Sequence, residues 1–239
     1  DCWIAIVNDT RDKAIISMGN HDVNEGESQP STENATRTFG NFPSGSSNFY
    51  STTFNNVGIL VFDSEDNPDS NPQRDFMAAE LTRLSTNPAL EWIFVMHHRP
   101  WYGSDSNHPN EVDVREFFHP LMDNNKVDAV ITSHNHNKEA SGLLAFNSSN
   151  SDDPDVMQSG GTYSYNRGTA RHGILFWHDG SGGRSHYGTS NVPDYQEFSN
   201  DTTYGYTAIE ISENGRKATF KHLDSNDNLL YSCNITHRV

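Results

Sequence analysis

Four short apolar runs place the strongest limit on how this 239-residue chain can fold. Each run has five or six residues, is rich in Ile, Val, Phe or Ala, and has polar or glycine-containing neighbours. Runs of this length and composition predict buried strands. They lie at residues 14–18, 57–62, 92–96 and 127–132.

Two segments between the later runs carry apolar residues at helical spacing. The first begins at Pro72, which suits the first turn of a helix, and extends to about Thr86. The second covers residues 111–124. The side chains expected to face the core are Phe76, Ala79, Leu81 and Leu84 in the first helix and Val114, Phe117, Phe118 and Leu121 in the second. Alternation of strand and helix predicts an α/β fold with layered sheets.

The helical pattern fades after residue 141, and a strand pattern replaces it. Residues 174–177, 206–211 and 218–223 predict antiparallel strands, and Asn214-Gly215 predicts a hairpin between the last two. We therefore expect one α/β sandwich domain over residues 1–239, with a β-rich half over residues 142–239.

The charge of the chain limits its partners. A formal net charge of −16 repels nucleic acid and anionic membranes, which excludes binding to a phosphate backbone. An acidic protein that handles phosphate esters needs local positive charge, and bound metal ions would supply it. No stretch approaches the ~18 apolar residues of a membrane span.

The two cysteines, Cys2 and Cys233, lie near opposite ends of the chain. A disulfide between them would join the termini and contribute roughly 4–5 kcal/mol in the chain-entropy model. Their spacing does not fix the connectivity, so each cysteine could instead pair elsewhere or stay free.

Five Asn-x-Ser/Thr sequons favour a secreted glycoprotein that carries N-linked glycans. Their asparagines are Asn8, Asn34, Asn147, Asn200 and Asn234. The chain starts at Asp1 with no visible signal peptide, so we expect a leader or a longer N-terminal segment to precede it.

Three of the four apolar runs end in side chains that can bind metal ions. The first run leads into Gly19-Asn20-His21-Asp22, the third into His97-His98-Arg99-Pro100 and the fourth into His134-Asn135-His136. Ligands of open α/β sheets bind beyond the carboxyl ends of strands, so these side chains could converge there. Any one of the 12 histidines could be an ordinary surface residue. The three motifs in this order predict a metal site.

The order of these motifs resembles that of the calcineurin-like metallophosphoesterases, and more closely that of the purple acid phosphatases. The segment His98-Arg99-Pro100-Trp101-Tyr102-Gly103-Ser104 is similar to the middle motif of the latter group. The resemblance covers roughly residues 14–141. It implies a secreted phosphoesterase that hydrolyses phosphomonoesters with two metal ions, which could be Fe, Zn or Mn. A phosphodiesterase or nucleotidase of the same superfamily is a weaker alternative.

The resemblance also implies roles for seven residues. Asn20, His98 and His134 would bind one ion, and His136 would bind the other. The remaining roles concern substrate: His21 would contact phosphate or protonate the leaving oxygen, Asp22 would orient His21, and His108 would contact the substrate. Beside these, the resemblance implies that His97 packs in the core or supports a ligand without touching the ion. Arg99 could pair with phosphate or support its own loop by bonding backbone carbonyls.

Two motifs of the family, Asp-x-His and Gly-Asp, do not occur in this sequence. They would supply further ligands of the second ion and the aspartate that bridges both ions, and the fold would lack its first strands. Three explanations remain open. The segment could belong to the same gene product, it could come from a neighbouring chain, or the chain could be a degenerate relative that uses the fold for binding or structural assembly. A supplied segment would complete the sheet beside residues 14–18, which would otherwise leave an exposed apolar edge.

Overall fold

The computed structural model describes residues 13–22, 48–66, 71–104 and 107–238. Two helices and twelve strands occur in these ranges. They are, in chain order, β1 Tyr50–Phe54, β2 Val57–Val61, α1 Asn71–Thr86, β3 Trp92–Met96, α2 Val112–Asn124, β4 Ala129–Thr132, β5 Lys138–Ala145, β6 Asp155–Gln158, β7 Thr162–Asn166, β8 Ile174–Asp179, β9 Gln196–Asn200, β10 Gly205–Ser212, β11 Lys217–Asp224 and β12 Leu229–Arg238.

The strands form two sheets. The larger sheet has eight strands in the order β1-β2-β3-β4-β8-β5-β6, with β9 also paired to β5. Its central strands β2, β3, β4 and β8 are parallel, so their carboxyl ends lie at one edge. The smaller sheet has the order β10-β11-β12-β7. These layered sheets match the predicted α/β sandwich. Residues 174–177, predicted as an antiparallel strand, lie in β8, which pairs in parallel with β4 and antiparallel with β5.

Alternate side chains of β3 enter two different cores. Ile93 and Val95 pack in a cluster with residues of both helices. Trp92 and Phe94 pack in a second cluster with residues of the smaller sheet. This period of two places one face of the large sheet against the helices and the other against the small sheet. The molecule therefore has three layers.

Helix α1 confirms the predicted segment but corrects one of its core residues. Met77, Leu81 and Leu84 are fully buried, whereas Ala79 is exposed. Residues 77, 81 and 84 share one stripe of a helix with 3.6 residues per turn, and residue 79 lies on the opposite side. Helix α2 also confirms its prediction, because Val114 and Phe118 are buried and Phe117 and Leu121 are partly buried against the same cluster.

The strand predicted at residues 14–18 does not form. Residues 14–19 have no regular secondary structure, and Met18 is the one residue of the run that is buried. The backbone N–H of Ile16 donates to the Tyr50 hydroxyl at 2.9 Å, and that hydroxyl donates to the Ile16 carbonyl at 2.7 Å. Because a side chain takes these backbone hydrogen bonds, no ladder forms, and the apolar sheet edge expected here is absent.

The β10–β11 hairpin confirms the Asn214-Gly215 prediction. Strand pairing runs to Ser212 opposite Lys217, and the turn residues Asn214 and Gly215 have φ values of 58° and 88°. The Gly215 carbonyl accepts a hydrogen bond of 2.6 Å from the Trp92 indole. This contact ties the hairpin to the start of β3.

Several sequence predictions concern covalent chemistry. Cys233 is buried on β12 and forms no disulfide within the described ranges, whereas Cys2 lies outside them, so their pairing stays a prediction. Asn8 and Asn34 also lie outside. Asn147 and Asn200 accept hydrogen bonds within local turns, and Asn234 lies on β12.

The described helices include none that is long and apolar enough to span a membrane.

Candidate metal centre

His98 and His134 meet because their strands are neighbours. Strands β3 and β4 are parallel with Met96 opposite Ile131, and each histidine follows its strand after a short turn. His134 Nδ1 lies 3.0 Å from His98 Nε2, and the ring centroids are 4.8 Å apart. The register of the sheet thus brings together two residues that are 36 positions apart.

Asn20 reaches the same point from the turn after residues 14–18. Its Oδ1 lies 2.9 Å from His98 Nε2. The turn is closed by two hydrogen bonds: the Asp22 N–H donates to the Gly19 carbonyl at 2.8 Å, and the Gly19 N–H donates to Asp22 Oδ2 at 2.9 Å. Asp22 therefore has a recorded partner in Gly19, and its predicted role in orienting His21 stays a prediction.

These donor atoms fit the coordination shell of a metal ion. Two ligands that are each ~2.1 Å from one ion lie ~3.0 Å apart in octahedral coordination and ~3.4 Å apart in tetrahedral coordination. The separations of His98 Nε2 from Asn20 Oδ1 and from His134 Nδ1 are 2.9 and 3.0 Å. A set of three donors leaves room for water or substrate on the same ion.

Burial prepares both imidazoles for metal binding. Burial, together with the neighbouring His98 and Arg99, lowers the pKa of His134 to about 3. Burial also lowers the pKa of His98. Neutral imidazole is the form that binds metal, so neither ring has to lose a proton at neutral pH.

His134 adopts an uncommon backbone conformation. Its φ of 73° lies in the left-handed region, where residues other than glycine are rare. The Asn135 N–H donates to the Ser133 carbonyl at 2.9 Å, which tightens the turn around His134. Such strain persists where surrounding contacts hold it, and it clusters at functional sites.

His136 lies on the same turn but faces a different loop. Its Nδ1 is 2.8 Å from the Ser185 carbonyl, and its ring stacks on Tyr187 at a centroid distance of 4.0 Å. A carbonyl can only accept, so Nδ1 carries the proton and Nε2 keeps the lone pair that could bind a second ion.

Within the described ranges, no cluster of three or more His, Cys, Asp or Glu side chains forms a metal site. Asn20, His98 and His134 do not count as such a cluster, because Asn20 offers an amide oxygen. The structure therefore brings three of the four predicted ligands together and leaves His136 apart.

Two predicted substrate residues border the trio. The His108 ring lies over His134 at a centroid distance of 4.3 Å and beside Tyr187 at 5.4 Å. Burial lowers the pKa of His108, and Arg99, His136 and His21 add to this effect. His21 itself is exposed. His21 and His108 therefore lie on the open side of the site.

Arg99 supports the loop rather than facing a substrate. Its guanidinium forms two hydrogen bonds of 2.7 Å with Glu65 and one of 3.1 Å with Glu111. His97 is buried and packs between Phe62 and Trp101 at centroid distances of 4.5 and 4.6 Å. The packing role predicted for His97 is confirmed.

Sequence reasoning missed the loop that contacts His136. Tyr187 and Ser185 follow β8 in a segment that contains four glycines at positions 180, 182, 183 and 188. The available signal was an apolar run followed by a glycine-rich loop. In other α/β proteins this pattern precedes a ligand site at the carboxyl end of a strand. Neither residue type is a usual metal ligand, so composition alone did not single out this loop.

Comparisons with known proteins agree with this geometry. The sequence matches the calcineurin-like phosphoesterase family over residues 3–138, more than half of the chain. It is 34% identical to Purple acid phosphatase 5 of Arabidopsis thaliana over 71 residues, which is 29% of this chain and 18% of that protein. It is 31% identical to an uncharacterised protein of Mycobacterium tuberculosis over 70 residues, 29% of this chain and 13% of that one.

Solved structures show the same fold. A purple acid phosphatase, PPD1, from yellow lupin (Lupinus luteus) seeds aligns with a TM-score of 0.71 and 17% identity over 92% of this chain and 40% of that chain. GAP50, described as the anchor in the inner membrane complex of Plasmodium, aligns with a TM-score of 0.56 and 16% identity over 80% of this chain and 54% of that one. The chain thus spans well under half the length of the curated relatives and of the lupin enzyme. Because the family match covers more than half of the sequence, the chain belongs to the calcineurin-like phosphoesterase family.

Proposed function

We propose that the protein is a secreted phosphoesterase that hydrolyses phosphomonoesters with two metal ions. The observation that carries this proposal is the convergence of Asn20 Oδ1, His98 Nε2 and His134 Nδ1, with separations of 2.9 and 3.0 Å from His98. Three neutral or readily neutral donors at the carboxyl edge of a parallel sheet suit a divalent or trivalent cation such as Fe, Zn or Mn.

The described residues have distinct roles in this proposal. Asn20, His98 and His134 would hold one ion, and His136 would bind the second through Nε2. When bound, these ions would neutralise phosphate charge and activate a water nucleophile. His108, which lies over His134, contacts the ester.

His21 acts as the general acid. Its side chain is exposed beside the trio, so it exchanges protons with solvent and reaches a leaving group on the open side. A protonated imidazole at this position can donate its proton to the leaving oxygen. Asp22 orients His21 once substrate is bound.

Further ligands of the second ion come from an N-terminal segment of the same gene product or from a second chain. The support is that Asp-x-His and Gly-Asp motifs do not occur in the 239 residues. Residues 1–239 form one domain in this proposal, and glycans at the five sequons accompany secretion. The Cys2–Cys233 disulfide fits the same compartment.

Metal content and phosphatase activity test the proposal together. Elemental mass spectrometry of the purified protein is expected to give two metal equivalents per chain, and p-nitrophenyl phosphate is expected to be hydrolysed. Asn20→Ala should abolish turnover with little change in the unfolding midpoint. Asn226→Ala, on the exposed β11–β12 turn, is the matched control. Unchanged turnover in Asn20→Ala would exclude the proposed site.

A non-catalytic binding or structural role is the second candidate. It is favoured by the lack of a cluster of three or more His, Cys, Asp or Glu ligands within the described ranges. The similarity of fold to GAP50, an anchor protein by its description, adds to it. One metal equivalent or none, with no turnover, would favour this role.

A further inference from the structure

The turn between β4 and β5 crosses the end of β8. Strand β8 pairs with β4 on one side and with β5 on the other. Thr132 of β4 and Glu139 of β5 are both in register with His178 of β8. Residues 133–137, which carry His134 and His136, must therefore pass over the carboxyl end of β8.

Two residues at this end of β8 hold the turn. His178 Nε2 lies 2.8 Å from the carbonyl oxygen of Asn135, and the Gly180 N–H donates to the Asn137 carbonyl at 2.9 Å. A Cβ on Gly180 would lie 1.9 Å from the Asn135 oxygen, so only glycine allows this approach. The backbone that follows His134 is thus held by hydrogen bonds from His178 and Gly180.

The hydrogen bonds of His178 define its tautomer. A carbonyl only accepts, so Nε2 carries the proton and donates to Asn135. Nδ1 then has the lone pair and accepts from the Thr132 hydroxyl at 3.0 Å. The ring is 3% exposed, and both of its nitrogens are used. A chain of hydroxyl, imidazole and carbonyl therefore joins the end of β4 to the turn.

His134 needs such support because its φ is 73°. A left-handed conformation in a residue other than glycine costs free energy, and it persists when its neighbours over-determine it. The hydrogen bond from His178 fixes the peptide group between Asn135 and His136, one residue beyond His134. Without it, the turn can relax toward an ordinary φ, which would swing His134 Nδ1 away from His98.

We infer that His178 is a positioning residue, which holds His134 in the conformation that places its Nδ1 beside His98 Nε2. This inference rests on the proposed metal site and adds a residue that neither the motifs nor the ligand chemistry assign. His178 does not itself contact the ion in this role. It acts through the Asn135 carbonyl.

Co²⁺ binding to the purified protein tests this role. The readout is the visible absorption of bound Co²⁺, measured at a temperature below that of unfolding. In His178→Asn the amide reaches the position of Nδ1 but not that of Nε2, so the bond to Asn135 is lost. We expect Co²⁺ affinity to fall roughly 10–100-fold, as is typical when a partner behind a ligand is removed. His178→Gln carries its amide to the position of Nε2 and is expected to restore affinity to within a few-fold of the wild type.

His172→Gln is the matched control. His172 is also buried, but it lies before β8 at the opposite end of the strand and stacks on Tyr165. This variant loses a buried ring without touching the turn, so its Co²⁺ affinity should equal that of the wild type. An equal loss of affinity in His172→Gln and His178→Asn would mean that general destabilisation is the cause, and would overturn the inference.

A second measurement needs no metal. Amide hydrogen exchange over residues 133–138 should be faster in metal-free His178→Asn than in the wild type, with exchange in β2 and β3 unchanged. Should His178→Asn not fold, Thr132→Val provides the test, because it removes the hydroxyl that orients the ring and keeps the side-chain shape. It should also weaken Co²⁺ binding, by several-fold.

The outcomes separate the two proposals. A wild-type protein that binds no Co²⁺ overturns the proposed function and this inference with it. A wild-type protein that binds Co²⁺, with His178→Asn or Thr132→Val binding equally tightly, overturns this inference alone and leaves the proposed function in place.

Discussion

The backbone of Gly19 lies directly against the imidazole of His98. A Cβ at position 19 would be 2.9 Å from both Cε1 and Nδ1 of that ring. Carbon atoms do not approach so closely without displacement, so the glycine of Gly19-Asn20 is required by packing. The same contact places Asn20 beside the ring, because the two residues are adjacent.

Gly19→Ala should therefore displace the His98 ring. We expect the free energy of unfolding to fall by about 1–3 kcal/mol, as for other overpacked sites, and Co²⁺ binding to weaken. Gly182→Ala is the control, because a Cβ there meets nothing within 4 Å. Urea unfolding and Co²⁺ titration of both variants check this. Equal behaviour of the two variants would contradict the packing explanation.

Tyr50→Phe should loosen the segment that carries Asn20. The variant removes both hydrogen bonds between the hydroxyl and the backbone of Ile16, so we expect a loss of about 1–3 kcal/mol of stability. Amide exchange at Ile16 should become faster. Tyr206→Phe removes an exposed hydroxyl that donates to Asp227 and should change neither quantity. Protected exchange at Ile16 in Tyr50→Phe would refute the anchoring role.

His237 should make stability depend on pH. Burial opposes its charged form, but hydrogen bonds and charges from Asp128 and Glu91, at 3.0 and 2.9 Å, raise its pKa above the ordinary value. Because the folded pKa is raised, the stabilisation is full below about pH 6.5 and is lost as pH rises through the folded pKa.

Urea unfolding at several pH values tests this for wild type and His237→Gln. The difference in stability between the two proteins should be largest in acid and should shrink as pH rises from about 6 to 9. Titrating groups that do not contact His237 cancel in this difference, because both proteins share them. A difference that is constant with pH, or that grows toward alkaline pH, would exclude the charged bridge.

Arg99→Lys should destabilise the loop that carries His98 more than a matched surface change does. The guanidinium holds Glu65 through two bonds, and lysine cannot reproduce that fork. We expect the free energy of unfolding to fall by about 1–2 kcal/mol, since the pair is mostly shielded from solvent.

Arg83→Lys is the control. It breaks a similar pair with Glu80 in which the arginine is half exposed, and it should lower the free energy of unfolding by under ~1 kcal/mol. Thermal unfolding compares them, and equal costs would contradict the expected difference.

Local patterns predicted much of the fold. The apolar runs at β2, β3, β4 and β8, both helices and the Asn214-Gly215 hairpin appear where their residue patterns indicate. Strand β5 was not predicted. All eight of its residues are buried, including Lys138 and Glu139, and no apolar alternation marks it. Burial of its lysine depends on Asp179 of another strand, 2.8 Å away, which no local pattern records.

The sequence by itself determined which side chains have metal-binding chemistry and that His98 and His134 follow buried strands, because motif chemistry and apolar periodicity are local properties. It predicted that Asn20, His98 and His134 share one site, and in the structure Asn20 and His134 both lie within hydrogen-bond distance of His98. Only the tertiary structure decided that residues 14–18 form no strand, that His136 faces Ser185, and that His178 lies beneath the turn of His134. The reason is physical: hydrogen bonds between distant segments and the register of neighbouring strands settle these features, and both exist only after the chain has folded.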